Sequence, residues 1–123
     1  MALGKTVAEI LTNKTAAASN STTLTDCTTI DTEAVLMLGI ECKVTYHGSA
    51  TLGVTVGVYD SSDNVTFDTN PSDQWDMPFT AGASISKTVA TLPAGRYKKV
   101  KVTNNDTGQS ATAIYVYSHP LTG

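Results

Sequence analysis

One unbroken alternation constrains this chain more than any other feature: Leu36, Leu38, Ile40, Cys42, Val44 and Tyr46 place an apolar residue at every second position. Successive side chains of an extended strand point to opposite faces. A period of two over this length therefore specifies a strand with one buried and one wet face. Glu41, Lys43 and Thr45 fill the wet positions. After His47-Gly48-Ser49 the alternation resumes, with Leu52, Val54, Val56 and Val58 set against Thr51, Gly53, Thr55 and Gly57. Two such runs around a short glycine-containing connection predict a hairpin.

The remaining strands are shorter. Asp60 to Gly82 gathers acidic residues, Pro71, Pro78 and the aromatics Phe67, Trp75 and Phe79, which predicts one or two short strands between long loops. Ser84 to Ala90 reads as a strand and Pro93-Ala94-Gly95 as a turn. Tyr97 to Thr103 and Ala111 to Ser118 read as a final strand pair around Asn104-Asn105-Asp106-Thr107-Gly108, a dense run of turn formers. Tyr97 is out of phase with Val100 and Val102, which predicts a bulge near Lys98. Seven or eight strands at this spacing predict an all-β, antiparallel sandwich of jelly-roll-like type.

Composition supports that class. Only 15% of the 123 residues are charged, below the usual quarter. Threonine, serine and asparagine, suited to strands and turns, take their place. A chain of this length forms one domain and buries roughly two thirds of its unfolded surface. The formal net charge of -3 argues against generic binding to nucleic acid or to anionic membranes. The longest apolar run, Ala34 to Ile40, is too short to span a bilayer. Glu9 interrupts the apolar residues after Lys5, so no cleaved secretory leader is expected.

The first twenty residues differ from the rest. Thr6-Val7-Ala8-Glu9 has the form of a capping box, and Val7, Ile10 and Leu11 then fall on one side of a short helix. Lys14 to Thr23 is a small-residue stretch that reads as an extended arm. The expected organisation is a helix and arm over residues 1–21 and a single sandwich domain over 22–123. Ala111 to Tyr117 carries apolar residues on both faces, with Ile114 and Val116 on one and Ala113, Tyr115 and Tyr117 on the other. Such a strand calls for cover on both sides, from the arm or from another subunit.

No constellation for catalysis stands out. His47 lies in a predicted turn and His119 near the chain end, neither beside a nucleophile. Asp60, Asp63, Asp68, Asp73 and Asp76 sit among Ser, Asn and Pro, where aspartate serves as a turn former. Asp60-Ser61-Ser62-Asp63-Asn64 is rich in oxygen ligands. Val65 stands where a calcium loop needs glycine, so a turn is the first reading and an irregular calcium site the second. Cys27 and Cys42 are too few for a disulfide framework or a zinc site. Buried thiols or one bridge remain open. No cofactor, metal or enzymatic activity is expected.

Two groups could bind. Trp75, with Tyr59 and Phe67, is either packing or a platform on which a sugar stacks. Arg96, Lys98, Lys99 and Lys101 are either a lysine-guarded edge strand or a patch for an acidic partner.

Val58-Tyr59-Asp60-Ser61-Ser62-Asp63-Asn64-Val65-Thr66-Phe67-Asp68 resembles the strand, turn and aromatic-Asp hairpin of small structural proteins of tailed phages. Arg96-Tyr97-Lys98-Lys99-Val100-Lys101-Val102-Thr103-Asn104-Asn105-Asp106 is similar to their late strand and turn. The resemblance covers roughly Leu36 to Tyr117. It implies a capsid decoration or cement protein in the virion, often a homotrimer, bound to the major capsid protein or another virion protein. Candidate contacts are Val7, Ile10 and Leu11 of the arm, the tyrosine face of Tyr115 and Tyr117, and Arg96, Lys98 and Lys99. A carbohydrate- or receptor-binding module of a tail or fibre, and a filament subunit that donates its arm as a strand, are the alternatives.

Overall fold

The computed structural model describes residues 3–123, which form strands, turns and no helix. Nine strands follow one another: β1 Gly4–Lys5, β2 Ala8–Ala16, β3 Ile30–Asp31, β4 Val35–Tyr46, β5 Val54–Ser61, β6 Asp73–Asp76, β7 Ser84–Thr91, β8 Tyr97–Asn104 and β9 Ala111–Thr122. They make two antiparallel sheets. The first runs β1-β9-β4-β7, with β2 also paired to β9, and the second runs β3-β8-β5-β6. The inner faces share one core, in which Leu38, Ile40 and Val44 of the first sheet join Val56, Val58 and Val100 of the second. The arrangement is sandwich-like.

The two long alternating runs are strands, but they do not form a hairpin with each other. β4 pairs with β7 and β9, whereas β5 pairs with β6 and β8. Residues 47–53 carry the chain from one sheet to the other. β8 and β9, expected as a pair, are likewise split between the sheets. Alternation reports which face of a strand is buried and carries no information about its neighbour.

The expected N-terminal helix is replaced by a strand. β2 pairs with β9 through three register shifts, and Asn13 adopts a left-handed φ of 45°. The irregularity turns consecutive residues inward, so that Ile10 (3% exposed) and Leu11 (1%) both enter the core. Burying two such side chains is worth roughly 3 to 6 kcal/mol, far more than a two-turn helix gains from its cap. Residues 17–28 then run along β8. Thr22 donates its amide to the Val102 carbonyl, and its hydroxyl accepts from the Val102 amide at 3.0 Å. The Cys27 sulfur accepts from the Val100 amide, while the Thr28 amide reaches the Ile10 carbonyl of β2. This stretch closes one side of the sandwich.

β8 has no bulge, because its register with β5 is continuous from Asn104 to Tyr97. Lys98, rather than Tyr97, takes the inward position. At β9 the register against β4 shifts near Ala113, whose φ of 48° lets both Ala111 and Ile114 face the core.

The turn-forming run after β8 ties together the upper end of the sandwich, where β4 and β8 finish and β5, β7 and β9 begin. The Asn104 side chain donates to the carbonyls of Ala16, Ala17 and Gln109 and accepts from the Asp106 amide. The Asp106 carboxylate accepts from the amides of Thr51, Leu52, Gly108 and Gln109 and from the Thr51 hydroxyl. These donors hold its carboxyl well below the usual carboxylate range, the Thr51 and Gly108 amides foremost. A depressed folded-state pKa contributes stability that is complete above the unfolded value near about 4 and fades as pH falls below it. Thermal melts of Asp106→Asn are expected to show a lower midpoint at pH 7 and a shallower loss between pH 5 and 2 than the parent. Parallel acid limbs would contradict this.

Candidate functional site

Surface chemistry differs sharply between faces, edges and ends. On the outer face of the second sheet, cations cap the aromatic rings: Lys99 lies 5.1 Å from the Phe67 centroid, Lys101 4.8 Å from Tyr59 and Arg96 5.0 Å from Tyr97. The Tyr59 ring also covers Gly57, where an added Cβ would meet it at 3.0 Å. Trp75 points instead to the inner face, at the β6 edge, and packs against the core. Its indole nitrogen is buried without a hydrogen-bond partner. Trp75, Tyr59 and Phe67 therefore do not converge into one stacking platform.

The basic run also divides. Arg96 pairs with Asp31 at 2.7 Å and with Glu33 at 3.2 Å. Lys98 is 1% exposed and bonds Asp60 at 2.6 Å, so it is not a surface contact. β8 lies inside its sheet rather than at the edge. The guarding lysine is Lys87 of edge strand β7, which pairs in register with the inward-facing Cys42 of β4 yet remains exposed. β6, an edge of the second sheet, is four residues long and bounded by Asp73 and Asp76. An inward lysine and a short acidic edge are devices that discourage strand addition.

On the outer face of the first sheet, Tyr115 and Tyr117 stack at 6.4 Å between centroids. Lys43 lies over Tyr117, whose hydroxyl donates to Glu9. β2 runs beside β9 and does not cover these rings. Ile10 and Leu11, expected as contacts, are buried, and Val7 alone of that trio is exposed.

The ends are apolar. Leu3, Val7, Leu36, Met37, Val65 and Leu92 are all more than half exposed, and all lie at or next to the lower end, where β4 begins and β5, β7 and β9 finish. Val65 (81% exposed) tips a rigid turn: the Asp63 carboxylate accepts from the Val65 and Thr66 amides and from the Ser61 hydroxyl. Asn64, at a φ of 60°, accepts from the Thr29 hydroxyl. Leu92 (80% exposed) leads a loop anchored where the Thr32 hydroxyl donates to the Gly95 and Arg96 carbonyls. Beside these residues a hollow of about 360 Å³ opens on the first sheet, floored by Gly39 and Ala90 and walled by Met37, His119 and Leu121, with Lys5 at its rim.

Of this end, sequence reasoning singled out Val7 and missed Leu3, Leu36, Val65 and Leu92. Leu36 belongs to the alternating series, but a register shift between Val35 and Met37 turns it outward. A leucine or valine among turn formers, as in Asn64-Val65 and Leu92-Pro93, was the available signal.

Reactive groups are scattered or quenched. His47 accepts from the Ser49 amide within its own turn, and His119 bonds Glu41 at 2.9 Å. Both cysteines are free and buried. Burial pushes the Cys27 thiol up to about 11 and the Cys42 thiol to about 12, which keeps them protonated at neutral pH. Among the described residues no group of three or more His, Cys, Asp or Glu could hold a metal ion.

Removing one partner of a buried ion pair leaves the other uncompensated. Lys98→Ala is therefore expected to cost about 3 kcal/mol in urea unfolding, and a loss below about 0.5 kcal/mol, as for an exposed lysine, would contradict the burial.

No protein-family model matches the chain, and no curated protein does. Among solved structures it is similar to a chain from Bacillus endospore appendages, described as forming a novel family of disulfide-linked pili. Identity is 14% over 98% of this chain and 88% of that one, with a TM-score of 0.46.

Proposed function

We propose that the chain is a non-enzymatic structural protein that docks end-on into a larger particle, with a decoration subunit on a phage capsid as its placement. The observation that carries this reading is the gathering of six exposed large apolar side chains at one end of the sandwich. Monomeric surfaces scatter such residues singly, and their concentration at one end favours a contact there. The β7 and β6 edges are guarded and the second sheet caps its own aromatics, which favours the lower end and its hollow as the main surface for a partner. Among the described residues no nucleophile stands beside a base, which favours binding over chemistry. Lys98 and Arg96 are already paired, which favours a protein partner over nucleic acid. A homo-oligomer on the shell, a trimer included, is compatible with the free tyrosine face. The carbohydrate reading loses its platform, and the strand-donor reading loses its donor, because Gly4 to Ala16 is already paired within its own sheet.

The test uses virions from a strain that carries the gene, purified by density gradient and analysed by peptide mass spectrometry. Recombinant chain is then re-bound to particles stripped of it. The native chain is expected to sediment with heads, and Met37→Asp/Leu92→Asp to lose at least tenfold in occupancy. Absence of the chain from particles, or undiminished binding by the variant, would overturn the proposal.

A further inference from the structure

The most deeply buried charge in the fold has few partners. Lys98 faces inward from β8, in phase with Val100 and Val102, and its side chain is 1% exposed. Its register partner on β3 is the buried Ile30, and its register partner on β5 is Asp60. Among the described residues the Lys98 ammonium donates to the Asp60 carboxylate alone, at 2.6 Å, and that carboxylate accepts from no other group. Other charged groups are better served. Asp106 and Asp63 gather several amides, and Arg96 holds both Asp31 and Glu33. An ammonium buried with a single acceptor leaves its remaining protons unbonded, which is costly in an apolar site. Gly95 closes over the pair, where an added Cβ would meet the Asp60 Cγ at 2.7 Å.

We infer that Lys98 and Asp60 join covalently, through an isopeptide bond between Nζ and Cγ. The pair already holds every atom the reaction needs. A proton passes from the ammonium to the carboxylate along their hydrogen bond, and the freed amine attacks the carboxyl carbon. The C–N bond forms and the bond from carbon to the protonated oxygen breaks. That oxygen leaves as water, taking one further proton from the nitrogen, and no oxidant, reductant or other reactant is consumed. Geometry favours the step. With Nζ 2.6 Å from one carboxylate oxygen, the carboxyl carbon one bond further lies at about the near-attack separation of 3 to 3.5 Å. Direct opposition on neighbouring strands fixes both groups, so little orientational freedom is left to lose. The product is a neutral amide, which relieves the cost of the buried charges. A hollow of about 300 Å³ lined by Asp60, Ser61, Ser62, Asp68 and Arg96 gives the water a way out, and Asp68 adds a carboxylate there to relay the proton. The bond closes the chain on itself between β5 and β8, the middle strands of the second sheet, and so restricts the unfolded state. It is a property of the isolated chain and needs no partner.

The experiment is intact-mass spectrometry of the purified full chain, kept folded at neutral pH and then unfolded in acid. The native chain is expected to be lighter than its sequence by one water. Its tryptic digest should contain a branched peptide that links Lys98 to Asp60 and is uncut after Lys98. Lys98→Arg keeps the charge but cannot form the bond, and it is expected to show the full mass. A native chain at its full sequence mass would overturn the inference. So would a missing water that persists in Lys98→Arg, because an aspartyl succinimide elsewhere would then account for it. The branched peptide is read from the native chain, so the test stands whether or not the variant folds.

Discussion

A single carboxylate organises the upper end of this protein. Besides the connections out of β2 and from β6 to β7, the chain crosses between sheets there from β4 to β5 and from β8 to β9, and each of these two crossings strands backbone amides that no ladder can satisfy. Asp106 collects amides from both crossings, and Asn104 beside it collects carbonyls from the end of β2. Three separate connections are thereby fixed to one another by two side chains. The placement of Leu52 follows from that clamp, and with it the shape of the upper surface. A buried polar cluster with its groups satisfied is rigid, which is what a docking surface needs if binding is not to cost ordering entropy.

Much of the strand content was legible from alternation, because burial of one face leaves a period of two in the residues. Partners were not. The strand from Leu36 to Tyr46 and the one from Val54 to Ser61 look like neighbours, yet a seven-residue connection allows either a hairpin or a crossing, and the residues that decide between them lie some fifty positions away at Asp106. The N-terminal segment misled for a related reason. Thr6 to Glu9 fits a helix cap locally, but Ile10 and Leu11 gain more from the core as adjacent residues of a bulged strand. Lys98 was read as surface because lysine usually is. Its burial depends on Asp60 standing opposite it in β5, a pairing that no local pattern reveals.

The candidate site was the least legible part. Alternation assigns Leu36 and Leu52 to the core, and in each case the strand is irregular or has not yet begun. Val65 and Leu92 stand among turn formers and belong to no pattern. Exposure of this kind is a property of where strands stop. The result is a molecule with quiet edges, one self-capped face and two apolar ends. Such a distribution suits a part that is stacked or seated, and it suits poorly a part that extends a sheet edge to edge.

The central claim is that the ends, rather than the edges or faces, are the working surface. Hydrogen–deuterium exchange compared between dilute protein and the concentrated or particle-bound state tests it most directly. The account predicts added protection at the lower end, in residues 32–38 and 91–96. Protection confined to β7 and β6, or to the tyrosine strand β9 at Tyr115 and Tyr117, would contradict it.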